Sequence, residues 1–140
     1  MQDNPTGPES TTEGRFLARV YYEDTDLAGI VYHANYLKFI ERARSEWLRE
    51  RGIDQMALKA ESGIVFAVRH LEALYLAPAR FDDILEMRTR LTALSGARIG
   101  LDQSVWRGDQ CLFEARVTLV CLSERGAVRI PAALRAALAP

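Results

Sequence analysis

Apolar and polar positions alternate with period two from Arg15 to Glu23. Phe16, Ala18, Val20 and Tyr22 point one way and Leu17, Arg19, Tyr21 and Glu23 the other, which predicts a strand. A loop with Gly29 and two aspartates, Asp24 to His33, follows, and then the period changes. Tyr36, Ile40, Ala43 and Trp47 recur at spacings of three and four, with Phe39 and Leu48 widening the stripe and charged residues filling the other side. This pattern predicts an amphipathic helix from about Asn35 to Arg51, with Asn35 as N-cap and Gly52 as its stop. A short second helix is expected over Asp54 to Ala60, capped by Asp54 and ended before Gly63. The remainder reads mostly as strand. Ile64 to Leu76 is β-prone, with imperfect alternation near His70 that suggests a bulge. Ile84 to Leu94 and Arg98 to Arg107 alternate, Gly108-Asp109 signals a tight hairpin, and the odd positions from Cys111 to Cys121 are all apolar. A terminal helix is expected over Pro131 to Leu138, with Pro131 at its first position.

One strand, one long helix and then four strands with short turns imply an α+β domain, an antiparallel sheet with one face covered by the helix. The chain has 140 residues, which fits one domain of about the usual 100–150. Met1 to Gly14 is polar, rich in Gly, Pro and Ser, and lacks the features of a secretory signal. It reads as a disordered tail (1–14) ahead of a single domain (15–140) in a cytoplasmic protein. No apolar run approaches the roughly 20 residues that cross a bilayer. The net charge of −1 argues against a nucleic-acid partner. Cys111 and Cys121 fall on one face of one strand, too far apart to pair, and read as apolar thiols.

The side chains that could carry chemistry are concentrated in Tyr22-Glu23-Asp24-Thr25-Asp26-Leu27-Ala28-Gly29-Ile30-Val31-Tyr32-His33-Ala34-Asn35-Tyr36. A helix N-terminus offers unpaired amides that can polarise a carbonyl oxygen. A nearby carboxylate can attack that carbonyl or activate water. Gly29 permits close backbone approach. These are parts for acyl transfer, although strand-to-helix loops also use Asp, Thr and Gly simply for turns and caps. Glu23, Asp24 and Asp26 are hard oxygen ligands, but the later positions of a calcium loop are missing, so no metal is expected.

The motif Tyr22 to Asp26 followed by Ala28 to Tyr36 resembles the signature of the 4-hydroxybenzoyl-CoA thioesterase family. With His33 it is similar to the YbgC-like acyl-CoA thioesterase branch associated with the Tol-Pal system. Tyr75-Leu76-Ala77-Pro78-Ala79-Arg80-Phe81-Asp82-Asp83 is similar to that branch too, and the resemblance spans about Arg15 to Ser123. It implies a hotdog fold, a curved antiparallel sheet around one long helix. It also implies homodimers with sites between subunits, often paired into homotetramers, with acyl-CoA as substrate. Asp26 then becomes the catalytic carboxylate, the His33 amide faces the thioester oxygen, and the His33 and Tyr22 side chains join the site. Relatives acting on aromatic substrates carry Tyr where this chain has His33, which argues against 4-hydroxybenzoyl-CoA. Leu27 departs from the small residue or Pro of many relatives.

Whether Asp26 acts as nucleophile or base stays open, as does the choice between orienting group and base for His33. Asp24 reads as a turn or cap residue, His70 as structural, and Trp47 and Trp106 as packing. Gly29, Tyr32, Asn35, Tyr36, Arg80 and Arg98 are candidate substrate-binding residues, the arginines (with Arg69) toward the CoA phosphates. Glu41 with Arg44 reads as a surface helix pair. No cofactor is expected. Acyl carrier protein is a possible partner, and the alternative reading is a non-catalytic module binding acyl-CoA, acyl carrier protein or an envelope partner. A hotdog dehydratase fits the pattern less well.

Overall fold

The computed structural model describes residues 13–139. Strand β1 spans Glu13–Arg19 and is followed by a 3-10 turn at Tyr22–Asp24. Helix α1 is Asn35–Glu50 and α2 is Gln55–Ser62. Strands β2 (Val65–Tyr75), β3 (Ile84–Leu94), β4 (Arg98–Arg107), β5 (Gln110–Ser123) and the two-residue β6 (Gly126–Ala127) precede helix α3, Ala132–Leu138. All pairings are antiparallel, in the order β1-β3-β4-β5-β2, with β6 beside the end of β5. Strand β2 therefore skips β3 and lies at the far edge against β5. Short turns make β3, β4 and β5 neighbours, but the β2–β3 loop spans the sheet.

The sheet curls around α1, the expected hotdog arrangement. Register breaks at Val68/His70, Leu91/Ala93 and Val105/Trp106 supply the extra bend. The first is the bulge anticipated near His70. The α1 stripe of Tyr36, Phe39, Ile40, Ala43, Trp47 and Leu48 is buried as its spacing requires. It meets Leu85, Met87, Ile99, Leu101, Val105, Phe113 and Val117 from the sheet. Burying each large side chain contributes about 1.5–3 kcal/mol, so this seam dominates the fold's stability. Asp54 caps α2 by accepting the Ala57 amide at 3.1 Å, and Gly63 ends it at φ +68°. No helix among the described residues is long and apolar enough to cross a membrane.

Several boundaries differ from the sequence reading. The first strand begins at Glu13 and stops at Arg19, so Glu13 and Gly14 belong to the sheet; the rest of the expected tail, 1–12, lies outside the described residues. Tyr22 and Glu23 leave the strand because the Asp24 carboxylate accepts the Tyr21 amide at 2.8 Å and closes a turn. The α1 N-cap is Ala34, because the Asn35 side chain turns away to Asp24. Pro131 is an N-cap, extended at ψ 148°, one residue before α3. Cys111 pairs across the ladder with Trp106 while Phe113 pairs with Val105, so the bulge at Leu112 puts the two thiols on opposite faces. Both are free, and burial pushes both pKa values up.

On the outer face, Arg15, Arg88 and Glu86, then Arg90, Arg116 and Asp102, form ion pairs. Trp106 is on this side, under the Arg88 guanidinium at 4.1 Å from its ring centroid, and not in the core. His70 is exposed and meets an acidic partner, Glu72, at 3.1 Å two positions along the strand. Arg44 bends beneath α1 to donate to Gln103 at 2.8 Å, while the Glu41 carboxylate still acts on its charge from one turn before. Burial pulls its pKa down from the usual arginine value.

Candidate active site

The loop before α1 is closed by its own backbone. Tyr32 N–H donates to the Asp24 carbonyl, Asp26 N–H to the Ile30 carbonyl, and Thr25 bridges Val31. Residues 24–26 thus run antiparallel to 30–32, with Asp26 at the rim of the turn between them. The turn is tight: Gly29 N–H donates back to the Asp26 carbonyl at 2.9 Å. Gly29 has φ +80°, a left-handed conformation that a side chain would strain.

The two aspartates diverge here. Asp24 is 6% exposed. Its two carboxylate oxygens accept the Tyr21 amide at 2.8 Å and the Asn35 side-chain amide at 2.7 Å. It is a structural clasp between loop and helix, as its reading as a turn residue expected. Asp26 is half-buried, and its carboxylate accepts a single hydrogen bond among the described residues, from the Ala28 amide to Oδ1 at 2.9 Å. Its Oδ2 is left for an incoming group.

The helix start is equally selective. Asn35 N–H donates to the Tyr32 carbonyl and Leu37 N–H to the Ala34 carbonyl, a tight 3-10 first turn. Among the described residues the His33 and Ala34 amides have no acceptor, so they are free donors at the positive end of α1. The His33 imidazole is exposed beside Tyr32, with ring centroids 4.6 Å apart.

Tyr22 is exposed and stacks flat on Phe81, 4.4 Å between centroids with planes 7° apart. Phe81 belongs to the β2–β3 loop, which the loop before α1 grips through an Ile30–Arg80 bridge and a Val31-to-Ala79 hydrogen bond of 2.8 Å. Asp83 fastens the other side of that loop, accepting from the Arg80 amide at 2.8 Å and the Arg107 guanidinium at 2.7 Å. Tyr36 is buried against Phe113 and its hydroxyl accepts the Ala79 amide at 3.0 Å, so it braces the site's floor.

Arg80 therefore stands beside the loop. Arg98 does not: it begins β4, whose far end, Arg107, is the one near the site. The nine intervening residue steps span about 30 Å at the usual rise of a strand. Arg69 is in the β2 bulge, exposed. Leu27 projects fully into solvent. Phe81, Asp83, Arg107 and the Tyr75 hydroxyl were missed as site-shaping groups. The first two and Tyr75 stand inside the second motif, which was the available signal; Arg107 carried none.

Residues 28–114, from the loop before α1 through the start of β5, match the family model described as Thioesterase superfamily. The chain is 46% identical over 114 residues to the acyl-CoA thioester hydrolase YbgC of Escherichia coli O6:H1, covering 81% of this chain and 84% of that one. It is 40% identical to the acyl-CoA thioesterase YbgC of Haemophilus influenzae over 87% of this chain and 91% of the other. Among solved structures, a 1,4-dihydroxy-2-naphthoyl-CoA thioesterase from Synechocystis superposes with a TM-score of 0.83 at 25% identity, over 90% of this chain and 95% of its own. Fold, motif and relatives agree: with its carboxylate loop set against a free helix-start amide, the chain belongs to the thioesterase superfamily.

Proposed function

We propose that this protein hydrolyses acyl-CoA thioesters to the free acid and CoA. One observation carries the reading: an Asp26 carboxylate with an open oxygen shares a loop with the unpaired His33 amide at the start of α1. The similarity to YbgC acyl-CoA thioesterases over most of both chains supports the substrate class. The thioester carbonyl oxygen accepts from His33 N–H, which stabilises the negative charge that develops there. Asp26 then either attacks the carbonyl carbon, expelling CoA thiolate and leaving an anhydride for water to open, or takes a proton from the water that attacks. Either course ends in acid and CoA thiol. The His33 imidazole and Tyr22 border the acyl group, and Arg80 is the candidate contact for CoA phosphate. Gly29 and Tyr32 shape the loop, while Asn35 and Tyr36 serve by bracing it.

We assign the working form to a homodimer, itself able to pair into a homotetramer. Among the described residues strand β2 has one free edge, and it exposes Val68, Leu74 and Tyr75. Such an edge favours pairing with a second copy. The domain would comprise residues 15–140 with Glu13 and Gly14 added to β1, and the enzyme would work in the cytoplasm on the acyl-CoA pool, with the Tol-Pal association and an acyl carrier protein as candidate links.

The test is thiol release across a panel of acyl-CoA chain lengths for wild type and Asp26→Asn. The expected result is hydrolysis of at least one chain length and a loss of about 10²-fold or more in the variant. Equal rates in the two proteins would remove Asp26 from the mechanism. Tight acyl-CoA binding without any turnover would favour a binding module instead.

A further inference from the structure

Among the described residues, the first turn of α1 leaves the His33 carbonyl without a backbone donor. Asn35 and Leu37 both bond three residues back, to Tyr32 and Ala34, so the His33 carbonyl between them is skipped. That carbonyl is taken instead by the Tyr75 hydroxyl, at 2.6 Å, from the end of β2. The Tyr75 ring is itself held edge-on by Phe113 of β5 and Tyr36 of α1, with centroids 4.9 and 5.4 Å away. Two hydrogen bonds therefore fix the two peptide planes that flank the His33 Cα. Asn35 N–H holds the plane containing His33 N–H, and Tyr75 holds the next.

We propose that Tyr75 is a positioning residue for thioester hydrolysis: its hydroxyl pins the His33 carbonyl to the sheet and so aims the His33 amide at the thioester oxygen. This rests on the acyl-CoA thioesterase reading above. Without the hydroxyl, the carbonyl is free to take Leu37 N–H in ordinary α-helical fashion, and the turn rewinds with its amides redirected. An amide displaced in this way is mismatched to a charge that exists only in the transition state. The effect belongs in kcat and not in substrate binding. Burial pushes the Tyr75 pKa up, so the hydroxyl remains a donor across the neutral range.

The experiment compares wild type, Asp26→Asn and Tyr75→Phe on the acyl-CoA that wild type hydrolyses fastest, with thermal midpoints recorded. Tyr75→Phe keeps the ring packing and removes only the donor. Its kcat should fall roughly ten- to a hundredfold, with KM and the affinity for a carbonyl-free thioether analogue within about twofold of wild type. A second variant carries 3-fluorotyrosine at position 75, which retains ring and hydroxyl; its kcat at neutral pH should stay at the wild-type level or above. Wild-type kcat in Tyr75→Phe, a loss confined to KM, or fluorotyrosine activity as low as that of Tyr75→Phe would overturn the positioning role. None of these would touch the thioesterase reading, which fails only if wild type hydrolyses nothing in the panel, and that result would overturn both.

Discussion

Asp24 and Asp26 are two residues apart and chemically identical, and their surroundings give them opposite tasks. Asp24 is buried and has both oxygens committed to Tyr21 and Asn35. Replacing it with Ala leaves a main-chain amide and a carboxamide without acceptors and unties α1 from the loop. Asp24→Ala should lower stability by about 1–3 kcal/mol, read from the urea midpoint. An unchanged midpoint would show that water substitutes for the clasp. The sequence pattern flagged both aspartates, because acids before a helix are conspicuous. It could not divide their roles through spacing, since the division depends on which carboxylate reaches Asn35, eleven positions away.

Elements were legible where one periodicity ran unbroken. The α1 stripe and the alternation of β4 are buried as read, and so is that of β3 as far as Leu91, where a bulge turns Ala93, expected on the same face, out to solvent. The reading failed where a local hydrogen bond or a bulge reset the phase, as at Tyr22 and at Cys111. Gly14 is instructive. It was grouped with the polar tail on composition, but it is buried in β1 against α1. A Cβ there would approach Trp47 Cδ1 to 2.8 Å and Glu50 Oε1 to 3.2 Å. Trp47 is 1% exposed and has nowhere to move. Gly14→Ala should therefore cost about 1–3 kcal/mol through overpacking, seen as a lower thermal midpoint. A midpoint equal to wild type would mean that β1 can lift off the indole. The glycine lets a strand lie close on a helix, and no turn requires it.

At the scale of the molecule, the sheet order decides what is near the site. Placing β2 at the edge against β5 brings Tyr75 under the helix start and, among the described residues, leaves one side of β2 unpaired. Leu74, 56% exposed, sits on that edge. Leu74→Arg should shift the native mass toward the monomer and reduce thioester hydrolysis, as measured by light scattering and thiol release. A wild-type protein that runs as a monomer would contradict the dimer. The same order separates Arg98 from the loop by the length of β4 while Arg80 is held beside it.

By itself the sequence determined the α+β class, the long helix, most strands, and the loop in which the chemistry-bearing side chains are concentrated. These follow from short-range facts: side chains three, four or two positions apart share a face whatever the rest of the chain does. The tertiary structure alone decided that Asp24 is a clasp, that Asp26 keeps an open oxygen, that Gly14 underlies Trp47, and that Tyr75 holds the His33 carbonyl. Each of these rests on contacts between segments brought together only when the sheet curls around α1. Periodicity says which face a residue is on, but not what lies opposite it.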